Sequence, residues 1–443
     1  MNFSSETNRR YRICRYRQIA VMLVGYALFY VCRLAFSATK KSMVEQGVYT
    51  AREIGFIGSA MLIAYAIGKI VNGVLADRSN IRRYMAFGLF VSAFANLLVG
   101  FHLPALLLIA VWFVNGFAQA SGSPCCVVSL ARWWSKSERG TFYGIWSCSN
   151  NLGEALAYVL TSVIMVKVGL AYGADMAWRS GFWGAAFMGF CGVGLIALLM
   201  RDSPESEDLP SIAEWRGEQP EAAITDRAEV KRGQRIAFTS WAVWMIALAG
   251  GLFAASRYAI IDWGIFFLEV KKGYPTETAA GIITVNSIVG AVSSGLSGFL
   301  SDRFFRGSRN EIALMAGLLN VIGLSLFMLV PGCHVWVDVL AMVCFGLAVG
   351  VLLTFLGGLM AVDLVPRVAA GAALGIAGMG NYVGAGIQSI VSGCLVGRDA
   401  VTGKAILLGH TFANGYTLDY LAIVWIGMAV LSVLCALTVW RRV

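Results

Sequence analysis

Gly73-Val74-Leu75-Ala76-Asp77-Arg78 recurs 225 residues later (73 to 298) as Gly298-Phe299-Leu300-Ser301-Asp302-Arg303. Each copy closes an apolar run and places an acid and an arginine where the chain leaves it. Arg33 and Arg257, each inside another apolar run, are offset by 224 residues (33 to 257). Two unrelated landmarks sharing one offset point to a duplicated unit about half the chain long. Asp77, Arg78, Asp302 and Arg303 are therefore assigned to structure and gating rather than to ligand chemistry.

The apolar runs around these landmarks settle the class. The chain has 443 residues, 58% hydrophobic and 14% charged, whereas a soluble domain is about half apolar and a quarter charged. A spanning helix needs about 20 mostly apolar residues, and runs of that kind predict helices near 19–38, 54–75, 84–101, 104–129, 142–166, 178–200, 239–268, 277–300, 311–331, 334–362, 369–396 and 416–440. Long continuous runs, without ten-residue alternation, exclude a β-barrel wall. The expected architecture is an all-α membrane protein of twelve transmembrane helices in two pseudo-symmetric six-helix bundles. Residues 1–200 form the first, 238–443 the second, and 201–237 a cytoplasmic linker holding three of the eight prolines.

The net charge of +10 is read through its placement. With this assignment, 23 Lys and Arg fall on the side of the termini and linker, 9 on the other side, counting Arg179 at the outer edge of the sixth run, and three deep within spans. That asymmetry puts both ends in the cytoplasm and removes the case for nucleic acid. The arginine-rich start is read as leading into a retained first helix, because no small-residue cleavage site follows. The ten cysteines lie mostly inside apolar runs without CxxC spacing, which suits reduced core residues.

Ionisable residues inside spans carry the functional reading, since each costs at least about 2.5 kcal/mol to insert and normally faces an interior or a water path. Arg33 shares a helix face with Tyr26 and Tyr30. Arg257 lies deep in the seventh run, and as its repeat mate is expected to face the same cavity at similar height. Lys69 stands between Tyr65 and Asn72 on a polar stripe. Glu154 is the deepest acid, on one face with Ser147, Asn150 and Asn151; it is read either as a ligand or proton carrier, or as a structural partner for Lys69 or Arg33. Asp262 lies near the outer end and is assigned to structure. Two arginines about 10 Å apart repel by roughly 1.7 kcal/mol at an effective dielectric of 20, a penalty that an anion removes. Arginine forks match phosphate oxygens, while Tyr26, Tyr30, Asn150, Asn381, Tyr382 and Gln388 can hydrogen-bond an organic tail. If the unloaded cations resist closure, exchange is preferred over net movement.

The paired loops and the six-plus-six arrangement resemble the major facilitator superfamily. Gly25-Tyr-Ala-Leu-Phe-Tyr-Val-Cys-Arg33, Gly68-Lys69, Asp77-Arg78-Ser79-Asn80, Ser123-Pro124-Cys125 through Gly140, Trp146 through Gly153, and Arg257-Tyr-Ala-Ile-Ile-Asp262-Trp263-Gly264 resemble its organophosphate:phosphate antiporter family. The linker segment Leu209-Pro-Ser-Ile-Ala-Glu214-Trp215-Arg216 looks most like the hexose-phosphate sensor branch. The resemblance implies that Arg33 and Arg257 bind a phosphoryl group and that Lys69 assists. It also implies an inner-membrane carrier of glycerol phosphate, sugar phosphate or a similar organophosphate. The chain departs from the family in carrying Asn150 for a histidine, Leu34 for a lysine and Ala254 for a tyrosine. Its acid stands at Glu154, where many members have a glutamate near Ser287 in the eighth helix.

The leading expectation is exchange of an organophosphate for inorganic phosphate by alternating access, in a monomer whose other partner is membrane lipid. A second is a sensor of external sugar phosphate that signals to a membrane histidine kinase. A third is a proton-coupled organic anion symporter using Glu154. His102, His334 and His410 are scattered, so neither an enzyme nor a metal or other cofactor is expected.

Overall fold

The computed structural model describes residues 4–217, 232, 235–304, 309–356, 360–365, 370–396, 405–407, 410–412 and 418–439. In the first half the helices are α1 (Ser5–Glu45), α2 (Ala51–Arg78), α3 (Ile81–Val99), α4 (Ala105–Gln119), α5 (Gly122–Trp133), α6 (Lys136–Tyr172) and α7 (Ala174–Leu199). The linker contributes α8 (Ile212–Arg216). The second half has α9 (Trp241–Lys271), α10 (Thr276–Phe304), α11 (Arg309–Leu329), α12 (Val335–Thr354), α13 (Met360–Asp363), α14 (Ala370–Leu395) and α15 (Asp419–Thr438). Each of the predicted intervals overlaps helix among the described residues. Among the described residues, nine helical stretches are long and apolar enough to cross a membrane. One short antiparallel ladder, β1 (Ala405–Leu407) with β2 (His410–Phe412), precedes α15 and was not expected.

Local chemistry sets the helix ends. Thr50 caps α2 through a reciprocal box with Glu53, and the Asn80 side chain accepts from Arg83 N at the start of α3, each satisfying donors that a helix start leaves unpaired. The expected single helix over 104–129 is instead broken between α4 and α5. Pro124 has no N–H to return to the Ala120 carbonyl, so the chain turns there before resuming.

Within the first half α1 packs on α6 and α7, α3 on α7, and α2 on α4; within the second α9 packs on α14 and α15, and α12 on α10 and α11. The halves meet along α2–α14 and α6–α10, with α1 beside α9. The 225-residue offset carries α2 onto α10 and α6 onto α14, so the first seam maps onto the second, as a two-fold relation requires. At the end of the bundle where α1 finishes and α2 begins, here called the far end, the seam closes on backbone. A Cβ added to Gly393 would lie 2.7 Å from the Gly55 Cα, and one added to Gly55 would lie 2.8 Å from the Ser389 carbonyl oxygen.

The opposite end, the base, is tied by polar side chains. Trp215 of α8 stacks on Tyr11 at 4.3 Å and donates to Asn8 Oδ1 at 2.7 Å. Glu138 bridges Arg15 and Arg216, and Arg132 pairs with Asp202 at 2.6 Å. These contacts explain why α1 begins at Ser5, well before the apolar run. Arg78 is exposed in the last turn of α2; the side chains of Asp77, Asp302 and Arg303 lie outside what is described, as does most of the linker beyond Gly217.

Candidate functional site

A cavity of about 200 Å³ lies between the halves. Helices α1, α2, α5 and α6 line it from one side and α9, α12 and α14 from the other. Its walls include Tyr26, Tyr30, Lys69, Asn150, Arg257, Asn381 and Tyr382 from the expected set. The described lining holds one guanidinium, one ammonium and no carboxylate. Two of its amides, Asn150 and Asn381, have a buried Oδ1 without a hydrogen-bond partner, and a buried unpaired acceptor is costly until a donor arrives.

The repeat-related arginines have different surroundings. Arg257 lines the cavity, 6% exposed, with Nη2 3.3 Å from Glu154 Oε2 and Nε unpaired. Arg33, 4% exposed, is not among the lining residues. Its guanidinium lies over the rings of Tyr65 at 4.4 Å and Tyr30 at 4.8 Å, and Nη2 is 3.5 Å from Gln119 Oε1. Stacking on two π faces stabilises a charge that has little else to bond. Tyr65 in turn packs on Tyr382 at 4.5 Å, and Lys69 Nζ lies 5.2 Å from the Tyr382 ring. Tyrosines from both halves thus separate Arg33 from the cavity.

Glu154 is paired with Arg257 rather than with Lys69 or Arg33. It also accepts from Ser287 Oγ at 2.7 Å and Asn286 Nδ2 at 3.4 Å. The acid of α6 therefore reaches the very place in α10 where the family resemblance puts a glutamate. Asp262 accepts from Ser37 Oγ at 3.1 Å, a contact between the halves. Gln388 lies away from the cavity, fully buried, donating to Ser392 Oγ at 2.8 Å.

The chain belongs to the major facilitator superfamily. The family described as Major Facilitator Superfamily matches residues 22–389. The glycerol-3-phosphate transporter of Bacillus subtilis (strain 168) is 31% identical over 91% of both chains. The membrane sensor protein UhpC of Salmonella typhimurium is 31% identical over 86% of both. A probable hexose phosphate transport protein of Chlamydia trachomatis is 31% identical over 85% of this chain and 84% of that protein. These relatives place the chain with the organophosphate:phosphate antiporter family, and so with membrane transport proteins rather than enzymes. Among solved structures, a D-xylose-proton symporter superposes with a TM-score of 0.71 at 16% identity over 97% of this chain and 98% of that one, a likeness of fold alone.

Several cavity residues went unread in the sequence. Tyr143 and Trp146 extend the Ser147–Asn150 stripe of α6 at helical spacing, which is the signal they carry in the sequence. Phe253 and Tyr258 carried none. Lys40 falls beyond the apolar run and so carries no signal in the sequence; it is fully buried, 4.4 Å from the Trp263 ring, at the far end of the seam.

Proposed function

We propose that this protein carries a small organophosphate across the cell membrane in exchange for inorganic phosphate, by alternating exposure of the interface cavity to the two sides. The observation that carries the reading is a closed seam over a cavity with Arg257 and Lys69 on its wall and no carboxylate among the described lining residues. Cations gathered in a water-poor site favour an anion, and a guanidinium fork favours phosphate oxygens. In this arrangement Arg257 and Lys69 receive the phosphoryl group. Arg33, one ring behind the wall, joins when Tyr65 leaves Tyr382. Asn150, Asn381 and the tyrosines hold the organic part. The relatives named as glycerol-3-phosphate and hexose phosphate transporters support the substrate class. Both termini and the linker are assigned to the cytoplasm by the Lys/Arg asymmetry, which makes the far end, where Gly55 meets Gly393, the outer one.

Proteoliposomes loaded with labelled phosphate test this directly. Exit on external addition of hexose phosphates, glycerol phosphate, phosphoglycerates or aminoalkyl phosphonates is expected for at least one compound. Saturable binding without exit by any of them would replace exchange with sensing. That second reading is favoured by the similarity to the sensor protein and by the docking of Trp215 and Arg216 on the base of the first half, a route by which bundle movement would reach the linker and a kinase partner.

A further inference from the structure

Glu154 belongs to the first half of the chain, yet among the described residues the partners of its carboxylate all belong to the second. Arg257, Ser287 and Asn286 surround the two oxygens, and the residue is 1% exposed. One helical turn on, the Tyr158 hydroxyl donates to the Ile261 carbonyl at 2.9 Å, which fixes α6 against α9. We infer that Glu154 is a built-in counter-anion, bonded across the seam to Arg257 while the site is empty and displaced from it by the phosphoryl group of the solute.

The inference rests on the exchange reading above and adds a coupling device to it. Arg257 faces the carboxylate on one side and the cavity on the other, with Nε unpaired. Two anions therefore compete for one guanidinium. Glu154 is absent from the described cavity lining, so it acts as a competitor and not as a contact for the solute. A glutamate in α10 would move with Arg257 as one body, whereas the pair seen here joins α6 to α9 and must part when the halves rock. Breaking it without a replacement leaves two desolvated charges, which holds the empty protein still. A bound phosphoryl group supplies the replacement, so binding and the freedom to rock become one event.

Two measurements on the full chain test this, phosphate binding by titration calorimetry and phosphate efflux from proteoliposomes into anion-free or phosphate-containing medium. Glu154→Gln removes the competitor, so phosphate affinity is expected to rise about tenfold, as when a tie hides the competent site in nine molecules of ten. Efflux into anion-free medium, slow in the unaltered protein, is expected to appear. The exchanged pair Glu154→Ser with Ser287→Glu keeps the charge but confines the ion pair to one half. Because a competitor is kept, it is expected to lack the affinity gain of Glu154→Gln, and still to leak without a counter-anion. Unchanged or weaker affinity in Glu154→Gln, or efflux in the exchanged pair that still requires external phosphate, would overturn the inference. Absence of both binding and exchange in the unaltered protein would instead overturn the exchange reading itself.

Discussion

Arg33 and Arg257 hold equivalent positions in two copies of one unit, yet only Arg257 lines the cavity. The sequence announces both, because an arginine inside an apolar run is conspicuous wherever it points. It cannot say that Tyr65 and Tyr382, from different halves, meet in front of one of them, since that contact depends on how the halves dock. The difference separates two expected outcomes. Arg257→Lys keeps the charge but loses the fork, and should cost about 1.5–3 kcal/mol of phosphate binding, roughly ten- to a hundredfold, with little change in thermal midpoint. Arg33→Lys should weaken phosphate binding and also lower the midpoint, because the flat guanidinium stacked on Tyr30 and Tyr65 is replaced. A second buried charge was invisible in the sequence because its partners stand 66 residues apart, at the ends of two loops. Lys272 and Asp338, with side chains 3% and 1% exposed, form an ion pair that Tyr274 completes by donating to Asp338 Oδ2 at 2.8 Å. Asp338→Asn leaves the ammonium buried and unpaired. It should destabilise the protein by roughly 3–5 kcal/mol, read as a lower thermal unfolding midpoint in detergent.

At the scale of elements, helix positions followed from hydropathy, while helix ends followed from contacts that hydropathy does not see. The break between α4 and α5 traces to Pro124, a residue visible in the sequence but compatible with either a kink or a stop. The long start of α1 has no apolar signal at all. It exists because Tyr11 and Arg15 are covered by α8, and Arg15 lies 5.4–5.6 Å from the rings of Trp134, Phe142 and Trp215. Trp215→Ala should remove about 0.5–1.5 kcal/mol of stacking together with the bond to Asn8. The expected result is faster tryptic cleavage at Arg201 and Arg216, with phosphate exchange retained. Cleavage at the rate of the unaltered protein would mean that α8 is held by the Arg216 ion pair alone.

For the whole molecule, the duplication was the most legible feature, because a shared offset survives divergence of nearly everything between the landmarks. The cavity's aromatic walls were the least legible, because aromatic side chains in a membrane protein are too common to single out without their neighbours. The asymmetry of Lys and Arg makes a statement about the entire assembly. A protease applied to intact cells should leave an epitope placed before Ser4 or in the linker untouched, and should digest both once the membrane is opened. Digestion in intact cells would invert the orientation.

Where Gly55 meets Gly393 at the far end, peptide backbone lies against peptide backbone, and no rotamer change at those two positions can relieve the contact. Opening is then a matter of moving entire helices, and a single added methyl acts as a doorstop. Gly393→Val should jam the protein ajar at that end, so that a cysteine introduced at Ser59, buried beside the contact, reacts with a membrane-impermeant maleimide from outside. The same wedge that silences the carrier would supply the opposite arrangement for structural capture.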